Sequence, residues 1–225
     1  MKKRILILTL LTLAASHMVG YSQSRIPSAT NGLFSNNLDF FAIQKVSDVY
    51  TGGVNEDIKG SIYLFDQWTK LRITSTYKDN YTYSILANYN IMADRFEIFV
   101  KGEKYILNPE SVVKITKGNR TFKVSEEDLE KNYYEEVASG DNVSLVKIYE
   151  SKVVEVPTKT LGLIERKISK SEKEFLVFKD GSMTKMPKSR GKLFKALNLT
   201  SEKRDKFKKY DIKNDYELAA IIKDA

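Results

Sequence analysis

YTYSILANYNIMADRFEIFVKGEKYILNPESVVKITKGNRTFKV, residues 81–124, is the stretch whose reading decides the fold. β-branched and aromatic residues fill short runs, and turn-forming residues separate them. Lys101-Gly102-Glu103 joins RFEIFV (95–100) to KYIL (104–107), and Lys117-Gly118-Asn119 joins SVVKIT (111–116) to RTFKV (120–124). A glycine between two such runs marks a hairpin, because it takes left-handed backbone without a steric cost. Thr82, Ser84 and Asn90 alternate with Tyr83, Ile85 and Ile91. That alternation predicts a wet face and a dry face. Asn108-Pro109 interrupts the run.

The same pattern continues outward. SIYLF (61–65) and KLRITSTY (70–77) read as strands upstream, with a turn at Asp79-Asn80. Downstream, NYYEEVA (132–138) and VSLVKIYESKVVEV (143–156) flank a turn at residues 139–142. FLVFK (175–179) and SMTKM (182–186) flank Asp180-Gly181. Ser125–Lys131 reads as a short capped helix, and residues 38–50 fit either a helix or a strand. Many short strands with frequent turns predict a mainly β protein: an antiparallel meander forming a sandwich or a partly open barrel. The period changes near the C-terminus. Ser189, Thr200 or Ser201, and Asn214 stand as caps before three short amphipathic runs, predicting short α-helices packed on the sheet. The expected organisation is a leader at 1–22, a lead-in with a candidate helix at 23–58, a β domain at 59–187 and a helical segment at 188–225.

The leader is read from its layout. Lys2, Lys3 and Arg4 precede eleven uncharged residues, Ile5–Ala15, and then small and polar residues. That is the plan of a secretory signal peptide. Gly20 and Ser22 suit a signal peptidase, which places cleavage after Ser22. The apolar run is too short for a bilayer core, which needs about 20 residues. No later run is longer, so no transmembrane span is expected. The chain is expected to be exported, and to be periplasmic, outer-membrane-associated or extracellular.

Composition then limits the chemistry. The chain has no Cys and a single His, His17, inside the leader. The processed chain would carry neither, which removes Ser-His-Asp and Cys-His catalysis and the usual zinc sites. No calcium loop is present, and no metal or cofactor is expected. Carboxylate chemistry survives. Asp94 and Glu97, beside Arg95, are the nearest pair of acids, and their spacing suits a turn Asp and a strand Glu paired with Arg95 better than an acid/base couple.

The net charge of +8 is unevenly spread. Residues 185–213 hold eleven Lys or Arg and three acids. Within them, Lys192, Lys195, Lys203, Arg204, Lys206, Lys208 and Lys209 are candidate contacts for an anionic surface: anionic lipid, lipopolysaccharide or an acidic envelope protein. A nucleic acid is not expected, since no recognised nucleic-acid motif is present. Tyr63, Trp68, Tyr83 and Tyr89 are candidate ligand-contact aromatics, against the ordinary preference of such residues for half-buried sheets.

GSIYLFDQW (60–68) followed by NYNIMADRFEI (88–98) resembles a pattern of uncharacterised exported β-rich proteins from Bacteroidota-type bacteria. In those, a G-x-x-Y-L-F motif opens a β meander, and a tyrosine-bearing strand (here Tyr133-Tyr134), a Lys-rich helix and an acidic-aliphatic helix follow. The likeness spans residues 58–223. It departs at Ile222-Lys223-Asp224-Ala225, where paired tyrosines and a longer tail are expected. It implies export and a β-rich fold, and it implies no activity. The resulting expectation is a non-catalytic binding or structural module of the cell envelope. The alternatives are a lipid-carrier half-barrel and a carboxylate-based glycan-active enzyme.

Overall fold

The structure, a computed structural model, describes residues 44–46, 58–76, 80–100, 102–125, 131–159 and 162–225. The expected leader, nearly all of residues 38–50, and most of the helix expected at 125–131 lie outside them. The protein is mainly β, with three short helices at its C-terminal end. The strands are β1 (Gln44–Lys45), β2 (Ile58–Lys59), β3 (Thr69–Ser75), β4 (Thr82–Asn90), β5 (Arg95–Val100) and β6 (Glu103–Ile106). They continue as β7 (Val112–Lys117), β8 (Arg120–Val124), β9 (Tyr133–Ser139), β10 (Val143–Pro157), β11 (Ile164–Phe178) and β12 (Met183–Lys185). The helices are α1 (Arg190–Ala196), α2 (Ser201–Phe207) and α3 (Asp215–Lys223).

All twelve strands join one sheet, in the order β1-β6-β5-β4-β3-β7-β8-β9-β10-β11-β12, with β2 paired in parallel to β11. The other pairings are antiparallel. The hairpins at Gly102 and Gly118 form as the sequence predicts, and both glycines have positive φ (86° and 59°).

The sheet does not lie flat. From β5 to β8 is four strand steps, roughly 19 Å in a flat sheet. Yet the rings of Phe96 on β5 and Phe122 on β8 sit 5.4 Å apart, centroid to centroid. Phe96 also meets Tyr133 of β9 at 4.9 Å. The sheet must therefore curl until its concave face touches itself. Phe65 completes the cluster, edge-on to Phe122. Each buried Phe contributes about 1.5–3 kcal/mol by burial, and each edge-to-face pair roughly 0.5–1.5 kcal/mol more. The rings fill the centre of this roll. A polar clamp holds its open side: Asn132, at the start of β9, donates its backbone N–H and side-chain amide to Asp94, in the β4–β5 turn.

A second core lies farther along the sheet. Leu145 of β10 and Leu176 of β11 pack beneath Leu193, Phe194, Phe207, Leu218, Ile221 and Ile222 of the three helices. Thr200 and Asn214 cap α2 and α3 through their side chains as expected, while Ser189 precedes α1 without a side-chain cap bond. Gly140 lets α3 approach. A Cβ there would lie 2.2 Å from the Ile222 carbonyl oxygen.

Two expectations need correction. SIYLF is not a strand; only Tyr63 bridges to Asn90. Around that bridge Leu64 N–H donates to the Tyr89 carbonyl and Ile91 N–H to the Ile62 carbonyl, and the buried side chain of Asn88 ends the pairing by accepting from Phe65 N–H and donating to the Phe65 carbonyl. Strand β11 begins at Ile164, about a dozen residues before the expected FLVFK start. It pairs with β10 without a break, from Val143–Phe178 to Pro157–Ile164. The turn end of this hairpin is exposed at Leu163 and Ile164, while β2, Gly60 and Tyr63 meet β11 along residues 165–170.

Candidate functional site

Four groups of residues can be assessed as sites. The first is the acid pair. Asp94 has left-handed backbone (φ 49°) in the β4–β5 turn. Its carboxylate is consumed by Asn132 and by the hydroxyl of Tyr89. Glu97 is 1% exposed. It accepts from Tyr63 Oη at 2.8 Å, Asn90 Nδ2 at 2.9 Å and Arg95 Nε at 2.9 Å. The expected pairing with Arg95 is present, but it is buried rather than solvated, because the Ile62–Phe65 segment covers that face of β5. Asn90, expected on a wet face, is buried for the same reason. Breaking such a buried pair costs about 3–5 kcal/mol, and both acids serve the fold.

The second group is the aromatic set, which the structure divides. Tyr63 and Trp68 touch at 5.4 Å, and Trp68 also meets Phe99 at 5.7 Å. Phe99 is exposed and was not singled out by sequence; it extends this outer patch because alternation along β5 turns it away from Phe96. Tyr83 packs elsewhere, against Tyr81 at 4.8 Å. Tyr89 is 1% exposed and lies in the roll core, so it cannot meet a ligand at the surface. Its hydroxyl titrates well above the usual tyrosine range, from burial first and then from its bond to Asp94.

The basic residues also separate by role. Lys203 donates to the Asp224 carbonyl, Arg204 to the Leu199 carbonyl at 2.8 Å, and Lys206 pairs with Asp224 at 3.1 Å. Those three tie the helices together. Lys208 makes only a 3.9 Å approach to exposed Asp205. Lys192, Lys195 and Lys209 point into solvent, and among the described residues they make no ion pair.

The fourth group was not legible as a unit in the sequence. A cleft of about 750 Å³ opens where the roll meets the helical layer, between β8–β11 and α3. On one wall Arg120 grips Glu135 with two bonds, Nε–Oε1 at 2.9 Å and Nη2–Oε2 at 2.7 Å. Arg120 Nη2 also donates to Tyr149 Oη at 2.7 Å, and that hydroxyl donates to Glu135. Lys147 is 9% exposed, with Glu172 and Glu174 each at 3.4 Å. Burial alone would lower its pKa. The combined field of Glu172, Asp215 and Glu174 raises it instead, so Lys147 is held as a cation. Asp215 and Tyr216, at the start of α3, form the opposite rim.

Among the described residues no group of His, Cys, Asp and Glu is arranged to hold a metal ion, and no helix is long and apolar enough to cross a membrane. The protein is thus mainly β, an open and rolled sheet, antiparallel but for β2, bearing a helical layer with a polar cleft at the seam. No protein-family model, curated protein or solved structure matches the chain, so its function has to be read from its own geometry.

Proposed function

We propose that the chain is an exported, non-catalytic binding or structural module of the cell envelope, meeting an anionic surface or partner through its C-terminal helices. The observation that carries this reading is the division of labour within α1 and α2. Leu193, Phe194 and Phe207 go into the core. Lys192, Lys195, Lys208 and Lys209 are left exposed. Such lysines contribute about 1 kcal/mol each near an anionic bilayer, at low salt more than at high. The uncharged Ile5–Ala15 run behind a basic start supports export. The anionic partner is a lipid head group, lipopolysaccharide or an acidic envelope protein. The lipid-carrier alternative needs a hollow roll, and the contacts of Phe65, Phe96, Phe122 and Tyr133 speak for a filled one.

The test is co-sedimentation with phosphatidylglycerol vesicles and with envelope extracts. Binding is expected at low salt, weaker at high salt, and absent when Lys192, Lys195, Lys208 and Lys209 are all changed to Glu. No binding at low salt to either would refute the anionic-surface reading. N-terminal sequencing of the exported protein should begin at Gln23.

A further inference from the structure

The cleft at the seam offers chemistry that surface lysines do not. Its lining interleaves donors and acceptors from four strands and a helix: Arg120 (β8), Glu135 (β9), Lys147 (β10), Glu172 (β11) and Asp215 (α3). Its size falls in the range of small-molecule sites, roughly 300–1,000 Å³. An apolar ligand would strip the water from these charges and offer no hydrogen bond in return. A strongly anionic ligand would meet Glu135, Glu172 and Asp215, and a strongly cationic one would meet Arg120, Lys147 and Lys223. Like charges brought together at a site oppose binding. The ligand that suits alternating donors and acceptors is neutral and carries many hydroxyls, since each hydroxyl both donates and accepts.

Two further observations favour such a ligand. The polar walls are held in place before anything binds. Arg120 is clamped by Glu135 and Tyr149, and Lys147 lies between two carboxylates. Groups fixed in advance lose little freedom on binding. The rim carries Tyr216, 85% exposed, on the first turn of α3. Asn214 fixes its backbone by accepting from Tyr216 N–H at 3.0 Å. That places an aromatic ring, polar at one end and apolar on its face, where the C–H face of a sugar can stack.

We propose that this cleft binds a neutral oligosaccharide, with Tyr216 as the stacking ring and Arg120, Lys147, Glu172 and Asp215 as hydroxyl partners. The site binds and does not hydrolyse. Glu135 is paired with Arg120, Glu136 with Lys123 and Glu172 with Lys147; Asp215 is then the one lining acid outside an ion pair among the described residues, and a single such acid is not the pair that hydrolysis needs. The inference is independent of the anionic-surface reading, because it uses different residues and a ligand without charge.

The experiment titrates the purified protein with cellotriose, maltotriose and triacetylchitotriose, and with trigalacturonate as the anionic control. Calorimetry gives affinity, and amide chemical shifts give location. At least one neutral trisaccharide should bind in the millimolar range or tighter, shifting amides of Glu135, Lys147 and Tyr216. Tyr216→Ala should weaken it about three- to tenfold, and Lys147→Met should weaken it as well. Tyr81→Ala, at another exposed tyrosine, should leave it unchanged. The proposal is overturned if no neutral trisaccharide binds, if trigalacturonate binds more tightly, if the shifts fall on Tyr63, Trp68 and Phe99, or if Tyr216→Ala binds like the parent. Vesicle binding should survive Tyr216→Ala, which separates failure of this site from failure of the helical surface.

Discussion

The roll and the helical layer are two regions of one sheet, held by different means. The roll's core sets rings (Phe65, Phe96, Phe122, Tyr89, Tyr105, Tyr133 and Tyr149) among Leu, Ile, Val and Ala. Its polar groups are buried with it, in the clusters around Glu97, Asp94 and Glu135. The helical layer is packed mainly with Leu and Ile, and its polar groups stay at helix ends and in solvent. A curled sheet has to span its own concavity from one layer of side chains, and the contacts that cross it are made by large rings. Helices bring their own side chains to the sheet, so smaller aliphatics suffice. The price of the ring solution is that tyrosine hydroxyls are carried inside and need partners.

The largest effect should come from alkali, and it should separate the two regions. Tyr63, Tyr89, Tyr133 and Tyr149 all titrate above the ordinary tyrosine range, by burial first and then through Glu97, Asp94 or Glu135. In the unfolded chain the same hydroxyls lose their protons near pH 10 (an approximate value). The folded form therefore keeps protons that the unfolded form gives up. The stability this supplies is complete below about pH 10 and is lost as pH rises further. The buried residues of the helical layer include no tyrosine. Tyrosinate absorbance and amide exchange, followed together, should show the roll opening first. Loss of α3 protection at lower pH than loss of β4 and β5 protection would break the comparison.

Next comes Phe96→Ala. This side chain touches Tyr89, Phe122 and Tyr133 across the curl. Truncating a buried Phe costs about 3–5 kcal/mol, and urea unfolding should show that loss. A cost under about 1 kcal/mol would mean that the curl does not depend on its rings.

Gly140→Ala should act on the other region and by less. The added methyl meets backbone of Ile222, and backbone cannot rotate out of the way as a side-chain tip can. Overpacking of this kind costs about 1–3 kcal/mol. Amide exchange should quicken in α3 and at the β9–β10 turn, with β4 and β5 unchanged. Equal loosening of the roll would show that the two cores act as one cooperative unit.

How much of this was written in the sequence differs between the regions. Strands β5, β7 and β8 were legible because a glycine turn bounds each of them, and β4 because it is a run of β-branched and aromatic residues after the Asp79-Asn80 turn. The caps at Thr200 and Asn214 were legible because capping is a local event. Residues 164–174, IERKISKSEKE, were missed because they are exposed or half-buried and no apolar alternation marks them; the strand exists because β10 offers it a ladder. SIYLF was misread because only a short part of it, around Tyr63, bonds to the end of β4, while Phe65 turns its backbone groups to the Asn88 side chain, a partner 23 residues away. The cleft was illegible because Arg120, Glu135, Lys147, Glu172 and Asp215 lie on five separate elements. Each reads alone as an ordinary surface charge.

The smallest expected effect has the opposite sign. Tyr133 is almost wholly enclosed, and its hydroxyl has no hydrogen-bond partner. The neighbouring rings of Tyr89 and Phe96 present edges and faces to the Tyr133 ring. A buried hydroxyl without a partner costs roughly 1–3 kcal/mol of lost hydration. Tyr133→Phe removes that oxygen and keeps the ring, so the roll should gain up to about 1 kcal/mol, after allowance for the small space left behind. Among the described residues the buried side-chain atoms without a partner are the hydroxyls of Tyr133 and Ser151, and neither residue belongs to the core under the helices. Urea midpoints of the parent and Tyr133→Phe decide the matter. A lower midpoint in the variant would mean that the hydroxyl has a partner in solution, such as an enclosed water, and that the roll's ring core is less dry than its geometry implies.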